Sequence, residues 1–146
     1  MIHHLAITPK NFARSHEFYT EVMGFKLAKI IKRQAMGGAK AGWTKHVFYD
    51  TGGGSMFVLW DLHLTDVQPD DDWDPSISIG LGLPWWINHI AFEVKDLEEL
   101  EEKKQHWLAC GLKVSEVRHE FITSIYSKDP DGNMVEFTTN TAELTE

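Results

Sequence analysis

The sequence has one cysteine, Cys110. No intramolecular disulfide can form, which excludes a disulfide-stapled secreted fold and a cysteine-rich zinc site. Cys110 precedes Gly111 near an expected helix end and is read as a small packing residue rather than a nucleophile. No apolar run approaches the roughly 18 residues that a membrane span needs. Basic residues are outnumbered, 14 against 22 acidic ones, for a formal charge of −8. A nucleic-acid binder presents a basic face, so no nucleic acid and no membrane are expected among the partners. The N-terminal stretch MIHHLAI lacks a basic segment followed by a long apolar core, and the expected location is cytoplasmic. At 146 residues and 42% apolar, the chain suits one domain, or two small modules sharing one core.

The chain repeats itself once at an offset of 85 residues. Ile2-His3-His4-Leu5-Ala6-Ile7 is matched by Ile87-Asn88-His89-Ile90-Ala91-Phe92. Both runs suit a buried strand. A helical stretch follows each: Phe12 to Met23, stopped by Gly24, and Leu97 to Cys110, stopped by Gly111. Asn11 and Asp96 stand at the N-cap positions, and the glycines at the left-handed stop. A second strand is expected near 27–34 and near 112–122. Then comes a hairpin, 45–50 with 55–60 in the first half and 123–127 with 133–137 in the second. Asp129-Pro130-Asp131-Gly132 forms the second turn. The expected fold is therefore α+β: two βαβββ modules, about 1–62 and 85–140, whose sheets curl into a mixed β cup with helices outside. The connector at about 63–84 holds an acidic tract, Gln68 to Pro75, that reads as a surface loop; the stretch is read as an inter-module linker, with a lid over a pocket as the alternative.

Side chains alternate faces along a strand, and the repeat puts His4 and His89 at the same strand position. If the halves pair about a pseudo-two-fold axis, both imidazoles face one concavity. His3 is expected to point the other way. Tyr126 and Glu136 flank the second turn symmetrically and are expected to be cross-strand neighbours. Glu136 sits in an otherwise apolar strand, where an ionised carboxylate is costly unless paired or metal-bound. Two neutral imidazoles and a carboxylate suit Fe(II), Mn(II), Zn(II), Ni(II) or Co(II) and leave positions open for substrate.

These segments, with Phe18-Tyr19 before Gly24-Phe25 and the Asp-Pro-Asp-Gly turn before the Glu136 strand, resemble the vicinal oxygen chelate superfamily. That superfamily includes glyoxalase I, bleomycin-resistance proteins, fosfomycin-resistance enzymes, methylmalonyl-CoA epimerase and extradiol dioxygenases. The resemblance covers nearly the whole chain outside 61–86. It implies paired βαβββ modules, a homodimer and a metal held by His4, His89 and Glu136. The first-half ligand position of the superfamily falls on Val58, which cannot bind metal. A three-ligand set results, as in extradiol dioxygenases and fosfomycin-modifying enzymes, with Asp61 or His63 as the remaining candidates for a fourth.

Tyr126 matches a tyrosine beside the metal in extradiol dioxygenases, and its phenol is expected to act in catalysis. His119 precedes that hairpin and is the candidate acid or base, as histidine suits proton transfer near neutrality. The expected activity is oxygenation of a small catechol-like substrate at a divalent metal, Fe2+ favoured. The alternatives are glyoxalase-type lyase or isomerase chemistry, fosfomycin-type transfer, and metal-free drug sequestration. Trp60 and the Trp85-Trp86 pair are candidates to line an aromatic pocket, and Trp107 is expected in helix packing.

Overall fold

The computed structural model describes residues 2–35, 38–67 and 69–143. The chain divides into two compact units, Met1–Pro75 and Ser76–Glu146. Each unit is a βαβββ module with one four-stranded mixed sheet.

In the first unit the elements are β1 (His4–Ile7), α1 (Phe12–Glu17), β2 (Lys26–Gln34), β3 (Gly42–Asp50) and β4 (Met56–Leu64). The sheet order is β1-β4-β3-β2, with β1 parallel to β4 and the other pairs antiparallel. The Asn11 side chain caps α1 by accepting from Arg14 N at 3.0 Å. The helix does not run on regularly to Met23. It widens into a π-helical turn over Phe18–Val22, where Met23 N donates to Phe18 O at 3.0 Å. The wide turn delivers Tyr19 onto β4, its ring centroid 4.3 Å from that of Phe57. Tyr19, Met23, Val47, Tyr49, Phe57 and Leu59 are all buried and form the core on this face of the sheet. Gly42 joins the β2–β3 connection at φ +99°, and a Cβ there would sit 2.1 Å from the carbonyl oxygen of His63, so only glycine fits.

The second unit holds α2 (Ile77–Gly80), β5 (His89–Glu93), α3 (Leu97–Ala109), β6 (Ser115–Arg118), β7 (Ile122–Lys128) and β8 (Met134–Asn140). The order β5-β8-β7-β6 repeats that of the first unit. Asp96 caps α3 by accepting from Glu99 N, and Glu99 reaches back to accept from Lys95 N. Trp107 is fully buried, with its ring 5.1 Å from Phe137, and packs α3 on the sheet together with Leu100. Among the described residues no helix is long and apolar enough to cross a membrane.

The structure corrects two expected elements. The strand expected over 112–122 is confined to Ser115–Arg118. Leu112 closes the end of α3 by donating to Trp107 O, and His119 N donates to Ile122 O to turn directly into β7. The stretch 61–86 is not structureless: β4 runs to Leu64, and Ser76 caps the helical turn α2. Asn133 Oδ1 accepts from Ile77 N and ties that turn to the β7–β8 hairpin. Gln68, at the head of the acidic tract, lies outside the described residues.

Candidate metal centre

In the second unit, β8 runs beside both β5 and β7. Its residue Glu136 pairs with Ala91 on one side and with Tyr126 on the other. His89 is two residues before Ala91, so its side chain emerges on the Glu136 face of the sheet. His89 Nε2 lies 3.3 Å from Glu136 Oε2. The carboxylate is buried, 3% exposed, while the imidazole is part-exposed.

The other ring nitrogen of His89, Nδ1, lies 3.2 Å from the carbonyl oxygen of Ile87. A carbonyl can only accept, so Nδ1 carries the proton and donates. Nε2 faces a carboxylate oxygen, and in the neutral ring it offers that side a lone pair. A neutral imidazole facing a buried carboxylate calls for a cation or a proton between them. The local geometry therefore suits a divalent ion held by imidazole and carboxylate.

Tyr126 stands on the same face, its ring centroid 6.5 Å from that of His89. Burial raises its hydroxyl above the usual phenol range. The Glu136 charge and a hydrogen bond to Glu136 act the same way, against an opposing bond with Ser124. Burial keeps the phenol neutral, across the β7–β8 ladder from Glu136. The Tyr126 hydroxyl lies within hydrogen-bond distance of His119 Nε2, 3.2 Å away. His119 is exposed and lines an open cleft of about 370 Å³ with Lys104, Glu116 and Arg118. A hydrogen-bonded pair thus joins the accessible imidazole to the Tyr126 hydroxyl, the cross-strand neighbour of Glu136.

The first unit has the same frame with different residues. His4 pairs with Met56 as His89 pairs with Met134, and Ala6 pairs with Val58 as Ala91 pairs with Glu136. Phe48 lies opposite Val58 where Tyr126 lies opposite Glu136. The first module therefore keeps the histidine but replaces the phenol and the carboxylate by a phenyl ring and a buried isopropyl group. Asp61 and His63 fall on the other face of β4. They bond to each other at 2.7 Å, His63 stacks on Trp43 at 3.8 Å, and Lys45 pairs with Asp61 at 3.5 Å. They are committed to that face and not to the face of His4.

Two histidines carry more than the sequence reading assigned them. His46, opposite Trp60 in the β3–β4 ladder, stacks on its ring at 3.9 Å and lies edge-on to His4, 6.1 Å between centroids. Its Nε2 is buried and has no hydrogen-bond partner. Burial, then the neighbouring His4, pushes its pKa below the ordinary imidazole value. Strand alternation could have found it once β3 was paired with β4. His3 does not simply point away: its Nδ1 lies 2.8 Å from Nδ1 of His4. Within each unit, among the described residues, no three histidine, cysteine, aspartate or glutamate side chains form a metal-holding group. Trp85 and Trp86 are exposed, and the Lys128 ammonium sits 3.8 Å over the Trp85 ring.

A family model described as the Glyoxalase/Bleomycin resistance protein/Dioxygenase superfamily matches residues 1–137. No curated protein matches the chain in sequence. Solved structures are similar in fold. A glyoxylase/bleomycin resistance protein/dioxygenase domain from Frankia sp. EAN1pec has a TM-score of 0.66 at 18% identity, covering 96% of this chain and 97% of that one. Lactoylglutathione lyase from Agrobacterium tumefaciens has a TM-score of 0.62 at 20% identity, covering 95% and 92%. TnmS3, an antibiotic binding protein from Streptomyces sp. CB03234, has a TM-score of 0.63 at 13% identity, covering 97% and 96%. At these identities the likeness speaks to the fold alone.

Proposed function

The chain belongs to the Glyoxalase/Bleomycin resistance protein/Dioxygenase superfamily, and on that footing we propose that it is a divalent-metal-dependent enzyme acting on a small substrate with two neighbouring oxygens. The leading activity is extradiol-type oxygenation of a catechol-like ring, with Fe2+ the favoured ion and Mn2+, Zn2+, Ni2+ or Co2+ as substitutes. His89 and Glu136 are two of the proposed ligands, and His4 is the third. The observation that carries the reading is His89 Nε2 turned toward the buried Glu136 carboxylate at 3.3 Å. Bound there, the ion would supply Lewis acidity toward both substrate oxygens and, as iron, redox chemistry.

The chain's own residues supply the rest. Glu136 brings the negative charge that a neutral imidazole lacks. Tyr126 keeps its phenol proton beside that carboxylate, its cross-strand neighbour. His119 is placed to pass a proton between the open cleft and the Tyr126 oxygen, over 3.2 Å. The phenyl ring of Phe48 and the His46–Trp60 stack give the first module an apolar, aromatic surface suited to a planar ring. A homodimer and a cytoplasmic location complete the proposal.

The test is elemental analysis of anaerobically purified protein beside the His89→Ala variant. About one equivalent of metal in the wild type, lost in the variant, is the expected result. Tyr126→Phe is expected to keep the metal and change turnover of a catechol probe. No metal in the wild type even after reconstitution would sink the enzyme reading in favour of a sequestering binding protein.

A further inference from the structure

The two repeat histidines have their Nδ1 atoms engaged in different ways. His89 donates from Nδ1 to the carbonyl of Ile87, two residues upstream. The residue equivalent to Ile87 in the first module is Ile2, at the offset of 85. Its carbonyl accepts instead from the Ser55 hydroxyl at 3.2 Å. His4 turns its Nδ1 to the side chain of His3, at 2.8 Å and with the rings at 79°. The second-module counterpart of His3 is Asn88, whose Nδ2 is buried without a partner and serves no such role. An N···N contact of this length holds one proton, so one ring donates and the other accepts.

We propose that His3 is a positioning residue for His4: it accepts the Nδ1 proton of His4 and so keeps the lone pair on His4 Nε2. The inference rests on the reading of His4 as a metal ligand. With Nδ1 turned to His3, Nε2 is the atom left to bind, and it binds only when the proton is on Nδ1. The hydrogen bond made by one ring nitrogen sets what the other can do. The first module thus achieves with a side chain what the second achieves with a backbone carbonyl. His3 escapes the strand alternation because β1 begins only at His4.

The test uses metal-free, 15N-labelled full-length protein at roughly pH 8, above the ordinary histidine range. Long-range 1H–15N spectra are expected to show His4 and His89 both protonated on Nδ1. In His3→Phe, which keeps an aromatic ring but has no acceptor, His4 is expected to gain the Nε2-protonated form while His89 does not change. Co(II) titration of the same variant is expected to weaken by about 10- to 100-fold. His3→Gln, which restores an acceptor oxygen, is expected to recover much of that loss. Wild-type His4 found protonated on Nε2, or an unchanged His4 tautomer in His3→Phe, would overturn the proposal. Co(II) binding in His4→Ala as tight as in the wild type would instead overturn the ligand reading on which it stands, whatever the spectra show.

Discussion

His89 Nε2 and Glu136 Oε2 face each other at 3.3 Å, one on a ring whose Nδ1 meets the Ile87 carbonyl and the other in a nearly inaccessible strand position. A buried carboxylate is costly without a cation, and the cost is held in the fold when no metal is bound. Glu136→Gln removes the charge and keeps the size. Metal-free Glu136→Gln is expected to be at least as stable as the metal-free wild type by chemical denaturation. The same variant is expected to lose divalent-metal affinity and with it the metal-dependent gain in stability. A variant clearly less stable without metal, with metal affinity intact, would show that Glu136 is a structural partner of its strand neighbours.

Tyr49 is the buried counterpart on the helix side of the first sheet. Its hydroxyl meets His16 Nδ1 at 2.7 Å, and burial pushes the phenol far above its usual range. The folded value lies above the unfolded one, so the folded state holds the proton more tightly. The associated stability is fully present below about pH 10 and is lost as pH rises toward the folded value. The unfolding free energy of the wild type is expected to fall above about pH 10, by up to about 1.4 kcal/mol per pH unit for this one group. Tyr49→Phe is expected to cost about 1 kcal/mol at neutral pH, for the lost hydrogen bond, and to have a shallower alkaline slope. Equal slopes in urea denaturation between pH 9 and 11 would mean that Tyr49 does not ionise in that range in either state.

What could be read without coordinates was local and periodic. The repeat, the caps at Asn11 and Asp96 and the pairing of Tyr126 with Glu136 follow from spacings and turn residues that act over a few positions. The parts that were missed depend on where a strand begins or ends. Alternation counted from residue 2 puts His3 on the far face, whereas the strand starts at His4. Asp61 and His63 are open as ligands from the sequence because the end of β4 has no local signal; the strand runs on to Leu64 and turns both to the face away from His4. His46 required the pairing of β3 with β4, which places it across from Trp60. The turn α2 is four residues long and has too little periodicity to be noticed, and its cap is a single serine.

The register that relates the modules also says what the first one lacks. Ala6 and Val58 stand as Ala91 and Glu136 do, and Val58 is fully buried opposite Phe48. Val58→Glu places a carboxylate diagonal to His4 as Glu136 is diagonal to His89. In the metal-free protein that charge has no phenol beside it, since Phe48 replaces Tyr126. Destabilisation of about 3 kcal/mol or more is expected, with the introduced carboxyl held protonated by its apolar surroundings. Val58→Glu combined with Phe48→Tyr supplies the missing donor and is expected to recover about 1 kcal/mol of the loss. Added Zn2+ is expected to raise the melting temperature of Val58→Glu by more than it raises that of the wild type, because the metal then offsets a buried charge. Circular dichroism melts of the three proteins, with and without metal, decide it. A Val58→Glu protein as stable as the wild type would mean that the position opens to water and that the two modules differ in packing, not only in the residues on one face.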